Sequence, residues 1–348
     1  MPIIQASSLF PFAQAIFEAT GLPPEQATAV ADHLVDANLV GHDSHGVMRI
    51  PAYVEELIKG RVKAFGNHEV VRETTASQVV NARQALGVPM ANYAMEWSVA
   101  RAREKTFGAV AVHHAGHIGR LGAYPPIAAK KDCIGVVMLN GGAPFAAPFG
   151  GTAQRLPPNP ISISVPSAEG APLMLDMTTS MVAGGKVRLY HAVQKPVPAD
   201  WLIGEDGEPV TDTNLFYEEK AAMLPLGGSV GHKGYGLAIM IDAIAGGLSW
   251  AGCSADPPTR GASGFFTLAI DIASFIDVAE FKKEISRLSE WIKSSPKVPK
   301  VDQIYLPGEI EEAKRKEREV NGIEIDEVTW GEILATAEQL NVPATELP

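Results

Sequence analysis

The chain has 348 residues, with 29 Lys+Arg against 40 Asp+Glu, a net charge of −11 and 46% hydrophobic residues. That acidic balance excludes a non-specific grip on nucleic acid or anionic lipid, which needs a cationic face; a small anionic substrate needs only one or two placed cations. The length suggests about two domains, and 20% charged residues beside so much apolar material excludes disorder.

From the N-terminus, Ser7 or Ser8 can cap a helix whose apolar set, Leu9, Phe12, Ala13, Ile16 and Phe17, shares one face. Pro23-Pro24-Glu25 opens a second helix, and Gly41 stands where a left-handed C-cap is usual. Tyr53, Val54, Leu57 and Ile58 suggest a third helix after the loop at 41–51. From about residue 68 the texture turns β-rich. Val70-Val71, Val79-Val80, 110–112, 134–139, 161–165, 173–175 and 265–270 read as strands, with helices over roughly 89–105, 178–187 and 234–248. Helical patterns return after residue 274, with a stripe of Phe281, Ile285, Leu288 and Ile292. Residues 311–319 then read as a solvated charged face, and Thr329-Trp330-Gly331-Glu332 as a capping box before the last helix. The expected organisation is 1–72 helical, 73–274 an α/β domain, and 275–348 helical and packed on the N-terminal helices.

Cys133 and Cys253 are too few for a disulfide framework, which fits a reducing compartment. The start, Met1-Pro2-Ile3-Ile4-Gln5, lacks a basic n-region, and no apolar run reaches the ~18 residues of a membrane span. The cytoplasm is therefore the expected location.

The common nucleotide fingerprints are missing. Gly116-His117-Ile118-Gly119-Arg120-Leu121-Gly122 has the wrong spacing for a Rossmann turn, and Gly185-Lys186-Val187 is not a P-loop. Polar chemistry gathers in five places instead. Gly41-His42-Asp43-Ser44-His45-Gly46-Val47-Met48-Arg49 is either a solvated loop or a site in which the Arg49 fork recognises a carboxylate. His113-His114-Ala115-Gly116-His117 follows a strand and offers either core hydrogen bonds or site chemistry; its glycine argues against the helix that a zinc pair four residues apart would need. Asn159-Pro160 with Asp176-Met177-Thr178-Thr179-Ser180 suits a helix cap or a phosphate. Gly231-His232-Lys233-Gly234-Tyr235-Gly236 holds a lysine that could neutralise an anion, and Leu306-Pro307-Gly308-Glu309 reads as a turn.

Taken in order, these motifs resemble the malate/L-lactate dehydrogenase-like family over nearly the whole chain. The resemblance implies a non-Rossmann, mixed-sheet α/β dinucleotide-binding domain beside a helical domain formed from both termini. It implies NAD or NADP as cofactor, a small carboxylate substrate and a homodimer, with no metal. By position, His45 and His117 would supply the acid/base group, and Arg49, helped by Ser44 and Tyr53, would hold the substrate carboxylate. Asp176, Met177, Thr178, Thr179, Ser180, His232, Lys233, Gly308 and Glu309 would line the dinucleotide. Pro125-Pro126 depart from the family pattern, interrupting a helix expected after Tyr124. The expected reaction moves a hydride between a nicotinamide and C2 of a 2-oxo or 2-hydroxy acid. Reduction of a cyclic ketimine such as a pyrroline or piperideine carboxylate is the alternative. Rivals of another class are a metal-dependent hydrolase built on His42, His45, His113 and His117, and a non-catalytic dinucleotide sensor.

Overall fold

The computed structural model describes residues 1–168, 170–255 and 263–344. The first segment is β1 (Ile3–Ile4), α1 (Ala6–Ala19), α2 (Pro24–Leu39) and α3 (Ile50–Ile58). The α/β part follows as β2 (Glu69–Glu73), β3 (Ser77–Ala85), α4 (Gly87–Lys105), β4 (Phe107–Ala115), α5 (Pro125–Ala129), β5 (Cys133–Asn140), β6 (Ile161–Val165) and β7 (Leu173–Met177). Next come α6 (Gly184–Ala192), β8 (Leu202–Gly204), β9 (Pro209–Val210), α7 (Thr213–Tyr217), β10 (Ala221–Met223), α8 (His232–Ile241) and β11 (Gly264–Asp271). The chain ends with α9 (Val278–Lys293), α10 (Glu309–Asn321), β12 (Ile323–Glu324) and α11 (Glu327–Gln339).

Seven strands form one mixed sheet in the order β2-β3-β4-β11-β5-β6-β7. Only β3 and β4 run parallel, joined through α4; every other neighbouring pair is antiparallel. Strand alternation sends Val137 and Phe265 to the face covered by α4 and α5, and Val136 and Phe266 to the face covered by α8. Three short strands, β10-β8-β9, make a second sheet over a small core of Val187, Leu202, Phe216 and Met223. No helix among the described residues is long and apolar enough to cross a membrane.

The two ends of the chain share one core. Leu9, Phe12, Ile16 and Phe17 of α1 pack with Trp330, Ile333 and Ala337 of α11, and β1 pairs with β12. All seven strands expected from the sequence lie inside β2 to β7 and β11; the short strands β8 to β10 were not anticipated.

The details at several helix ends differ from expectation. The N-cap of α1 is Gln5 rather than a serine, and α11 is capped by Asp326, whose carboxylate accepts from the Thr329 N–H at 2.9 Å. The helix expected from 178 begins only at Gly184; Thr179 and Ser180 lie in the non-helical lead-in, with their hydroxyls donating to Pro158 O and Val182 O. Pro125 and Pro126 open α5 rather than interrupt a helix, since a first-turn proline forfeits no intrahelical bond. The α9 stripe forms, yet Leu288 and Ile292 on it, with Trp291 beside them, are exposed in the single chain.

Ile333 is fully buried where the termini meet, whereas Val328 on the same helix is 73% exposed. Ile333→Ala should lower the unfolding free energy by about 2–5 kcal/mol, and Val328→Ala should stay within about 0.5 kcal/mol of wild type. Urea denaturation of both variants checks this; equal effects would mean that α11 is not part of the core.

Candidate active site

The loop bearing Ser44, His45 and Arg49 is pinned from both sides. At the end of α2, the His42 and Gly41 N–H groups close on Ala37 O and Asn38 O, with Gly41 left-handed at φ +84°. Asn38 then accepts from the Val47 N–H at 2.8 Å and donates to Asp43 at 2.6 Å, while Arg318 of α10 grips Asp43 with two nitrogens. Within this frame Arg49 Nε donates to Ser44 O at 2.7 Å, and Ser44 Oγ lies 3.0 Å from His45 Nδ1. Tyr53 follows one turn into α3, with its side chain buried.

His117 comes from the loop after β4. Gly119 there is left-handed at φ +68°, and a β-carbon on it would overlap His33 Nε2. His33, buried on α2, accepts the Arg120 N–H at 2.9 Å and stacks on Tyr124, whose hydroxyl donates to Ile118 O. This brings the His117 ring parallel to that of His45, with centroids 5.8 Å apart and planes 14° apart. Tyr53 Oη lies 2.6 Å from His117 Nδ1, and the Gly119 N–H points at the same nitrogen from 3.2 Å. An amide N–H can only donate, so Nδ1 is an acceptor and the ring proton sits on Nε2.

Burial first, and then His117 and Arg49 as neighbouring positive centres, lower the pKa of His45 to about 3. His117 is lowered too, by the surrounding protein and then by Arg49 and His33, though the residue keeps an exposed face. Burial raises the Tyr53 hydroxyl, against the pull of Arg49. At neutral pH the site therefore presents two uncharged imidazoles, an uncharged phenol and one guanidinium.

A charge network ties this centre to β7 and α10. Arg120 is 5% exposed; one of its nitrogens is 2.7 Å from Asp36 and another 3.9 Å from Asp176, which also accepts the Gly122 N–H at 2.8 Å. Burial raises the pKa of Asp176, whereas Arg120 and Arg315 hold Asp36 low despite its burial. Arg315 reaches Asp36 from α10, and Glu311 lies 3.5 Å from His42. The charged helix expected to be a solvated face thus has one side engaged by α2 and the histidine loop. Met174 N–H donates to Pro307 O, Leu226 N–H to Thr179 O and Met181 N–H to Leu224 O, so β7, the turn before α10 and the lead into α8 adjoin. Asn159, buried and at φ +35°, donates to Asp242, which also accepts from Asn140 and Ser254.

The two helix ends expected to meet a dinucleotide differ. The N-terminus of α8 carries exposed His232 and Lys233 and no acid in its first turn. The N-terminus of α10 carries Glu309, Glu311 and Glu312, and Glu309 is already bonded to Leu306 N–H and to Lys293. A cavity of about 510 Å³ lies beside Gly308 and Glu309, lined also by Leu173, Ser289, Lys293 and Lys316, and is separate from the histidine pair.

Some residues of the site carried no usable signal in the sequence. His33, Asp36 and Arg120 sit in helical or glycine-rich runs where only folding shows their convergence. Arg188 on α6 lies close enough to Arg49 to lower its pKa, and its only hint was the basic pair with Lys186. The four histidines of the hydrolase reading do not gather: His113 lies against His114, and His42 against Glu311. Among the described residues no group of three metal-binding side chains forms.

The sequence profile of a family described as malate/L-lactate dehydrogenase matches residues 4–334. The chain belongs to the malate/L-lactate dehydrogenase family. It is similar to the malate/(S)-sulfolactate dehydrogenase of Methanothermus fervidus, 35% identical over 336 residues, which are 95% of this chain and 96% of that one. The solved structure of malate dehydrogenase from Entamoeba histolytica superposes with a TM-score of 0.92 at 28% identity, covering 98% of both chains. Sulfolactate dehydrogenase from Methanocaldococcus jannaschii gives 0.90 at 30% identity over 99% of both. The mixed sheet and helices of this family member are thus shared along the whole chain.

His33 supplies a pH test. Its pKa is lowered to about 3 by burial and then Arg120, below the unfolded value near 6.5, so the unfolded chain binds a proton that the folded one refuses. Its contribution is complete above pH ~6.5 and is lost toward acid pH at up to about 1.4 kcal/mol per pH unit. His33→Gln keeps an acceptor for Arg120 N–H without the titration. It should reduce the pH dependence of unfolding free energy between about pH 6 and 4.5 by one proton. An unchanged slope would show that folded His33 accepts protons freely.

Proposed function

We propose that this protein is an NAD(P)-dependent oxidoreductase that moves a hydride between the nicotinamide and C2 of a small 2-oxo or 2-hydroxy acid. One observation carries the reading: two neutral imidazoles stacked 5.8 Å apart beside the Arg49 guanidinium, with the open face of His117 available to a substrate. Arg49 holds the carboxylate and so orients the reacting carbon, with Ser44 beside it. His45 or His117 exchanges the proton that the substrate oxygen gains or loses. Arg188 offers a second cation for a substrate carrying a further acidic group.

The bound cofactor supplies the hydride and accepts it back. What supports a dinucleotide here is Lys233, exposed and without an ion pair among the described residues, with the acid-free start of α8, which suit a pyrophosphate. The carboxylate of Glu309 suits a ribose hydroxyl better than a phosphate. In this reading Asp176 to Ser180, His232-Lys233 and Gly308-Glu309 line the cofactor in a non-Rossmann fold, and Asp176 acts through its place beside Gly122 and Arg120. The division at residues 72 and 274 separates a dinucleotide-binding α/β domain from a helical domain of both termini. The enzyme works as a homodimer in the cytoplasm; the uncovered Leu288, Trp291 and Ile292 of α9 support a partner surface.

Pyruvate, oxaloacetate, sulfopyruvate and a cyclic ketimine, each offered with NADH and NADPH, should show oxidation of the cofactor with a 2-oxo acid. His45→Ala and His117→Ala should lower turnover about 10²-fold or more. Arg49→Lys should raise KM for the carboxylate substrate about tenfold or more, because the two-point fork is lost. Near-native rates in both histidine variants would overturn the assignment, and an unchanged KM would move the anchor away from Arg49.

A further inference from the structure

The proposed reaction leaves a chemical difficulty at His117. In the reduction direction the substrate oxygen becomes an alkoxide and needs a proton. The ring is uncharged, with Nε2 carrying its only proton. Giving that proton away alone would leave an imidazolate, a far stronger base than the ring can tolerate at neutral pH. The transfer becomes feasible only if Nδ1 gains a proton as Nε2 loses one. Among the described residues two donors face Nδ1: the Gly119 amide, which does not ionise, and the Tyr53 hydroxyl at 2.6 Å.

We infer that Tyr53 is the proton source behind His117, a positioning residue that works through the ring and not a ligand of the substrate carboxylate. In the step, the C–H bond at C2 forms with the hydride that the bound dihydronicotinamide gives up. The Nε2–H bond of His117 breaks as the substrate O–H forms, and the Tyr53 O–H breaks as Nδ1–H forms. One proton thus enters the product, the imidazole ends neutral in its other tautomer, and the negative charge comes to rest on the Tyr53 oxygen. Arg49 lies near enough that its positive charge favours the phenolate, against the burial that disfavours it. Solvent returns the proton to Tyr53 after product leaves. Reversal of the same steps serves oxidation of the hydroxy acid.

The surroundings fit this role. Tyr53 is 7% exposed, so water does not compete for its hydroxyl, and its ring meets that of His117 edge-on at 5.9 Å. The charged or titratable groups facing the pair are Arg49 and His45 from the loop after α2, His33 from α2, and Tyr124 next to α5. Among the described residues none of these groups is a carboxylate, so the phenol is the ionisable donor at hand.

The inference rests on the functional reading, and Tyr53→Phe separates the two. In unliganded wild-type protein with ¹⁵N-labelled imidazoles, His117 should show a proton on Nε2 and an unprotonated, hydrogen-bonded Nδ1. In Tyr53→Phe the Nδ1 resonance should move downfield as the hydroxyl donor is lost. Turnover should fall about a hundredfold while KM for the 2-oxo acid stays within about threefold, since Arg49 is intact. Wild-type turnover should be level from about pH 8 to 6, whereas the residual rate of Tyr53→Phe should climb toward acid pH, where a charged ring can donate by itself. A proton on Nδ1 in the wild type, full turnover in the variant, or a loss carried by KM would overturn the relay. Wild-type protein that reduces no 2-oxo acid overturns the functional reading, and the relay with it; turnover that survives loss of the hydroxyl overturns the relay alone.

Discussion

A backbone amide next to a ring nitrogen decides how this centre works. Because Gly119 presents its N–H to His117 Nδ1, the resting imidazole keeps Nδ1 as an acceptor and carries its proton on Nε2. The left-handed turn at Gly119 is what lets the amide reach back, and the close approach of His33 is what forbids a side chain there. Sterics at one position therefore set the resting protonation pattern at another, and the stacked His45 ring, the phenol and the guanidinium are arranged around that imidazole.

The charge network works by geometry more than by stability. Buried ion pairs recover little more than their desolvation cost, but they have few alternative arrangements. Arg120 faces Asp36 and Asp176 from a nearly closed space, and Arg315 and Arg318 extend the network to α10. The histidine loop, β7 and the turn at Leu306–Glu309 are thereby held in register although they are distant in sequence. A helix so dense in charge stays ordered because three of its side chains, Glu311, Arg315 and Arg318, find partners on α2 and the loop after it.

The strands and the long helices were legible because their apolar periods are strong: Val79-Val80, Val110 to Val112 and Phe265 to Ile270 all lie within sheet strands. The helix starts were less so. Thr179 and Ser180 look like caps in sequence, but a cap needs the following residues to turn, and here the chain stays non-helical until Gly184, with Thr179 tied to Pro158 O and Ser180 to Val182 O. His45, His117, Arg49 and Tyr53 could be singled out by residue type and resemblance; that they meet depends on long-range packing. Arg120 and His33 were not visible, because a buried arginine or histidine announces itself only through partners far along the chain.

Strand β11 has a consequence for how the molecule is made. Residues 264–271 insert between β4 and β5, which pair with nothing else on those edges. While the polypeptide is still being translated, everything up to the second half of the sheet can be outside the ribosome with a slot open down its middle. Two bare strand edges then face each other, each a template for a neighbouring nascent chain. The interval between synthesis of β5 and arrival of β11 is when those two edges stand open to mispairing.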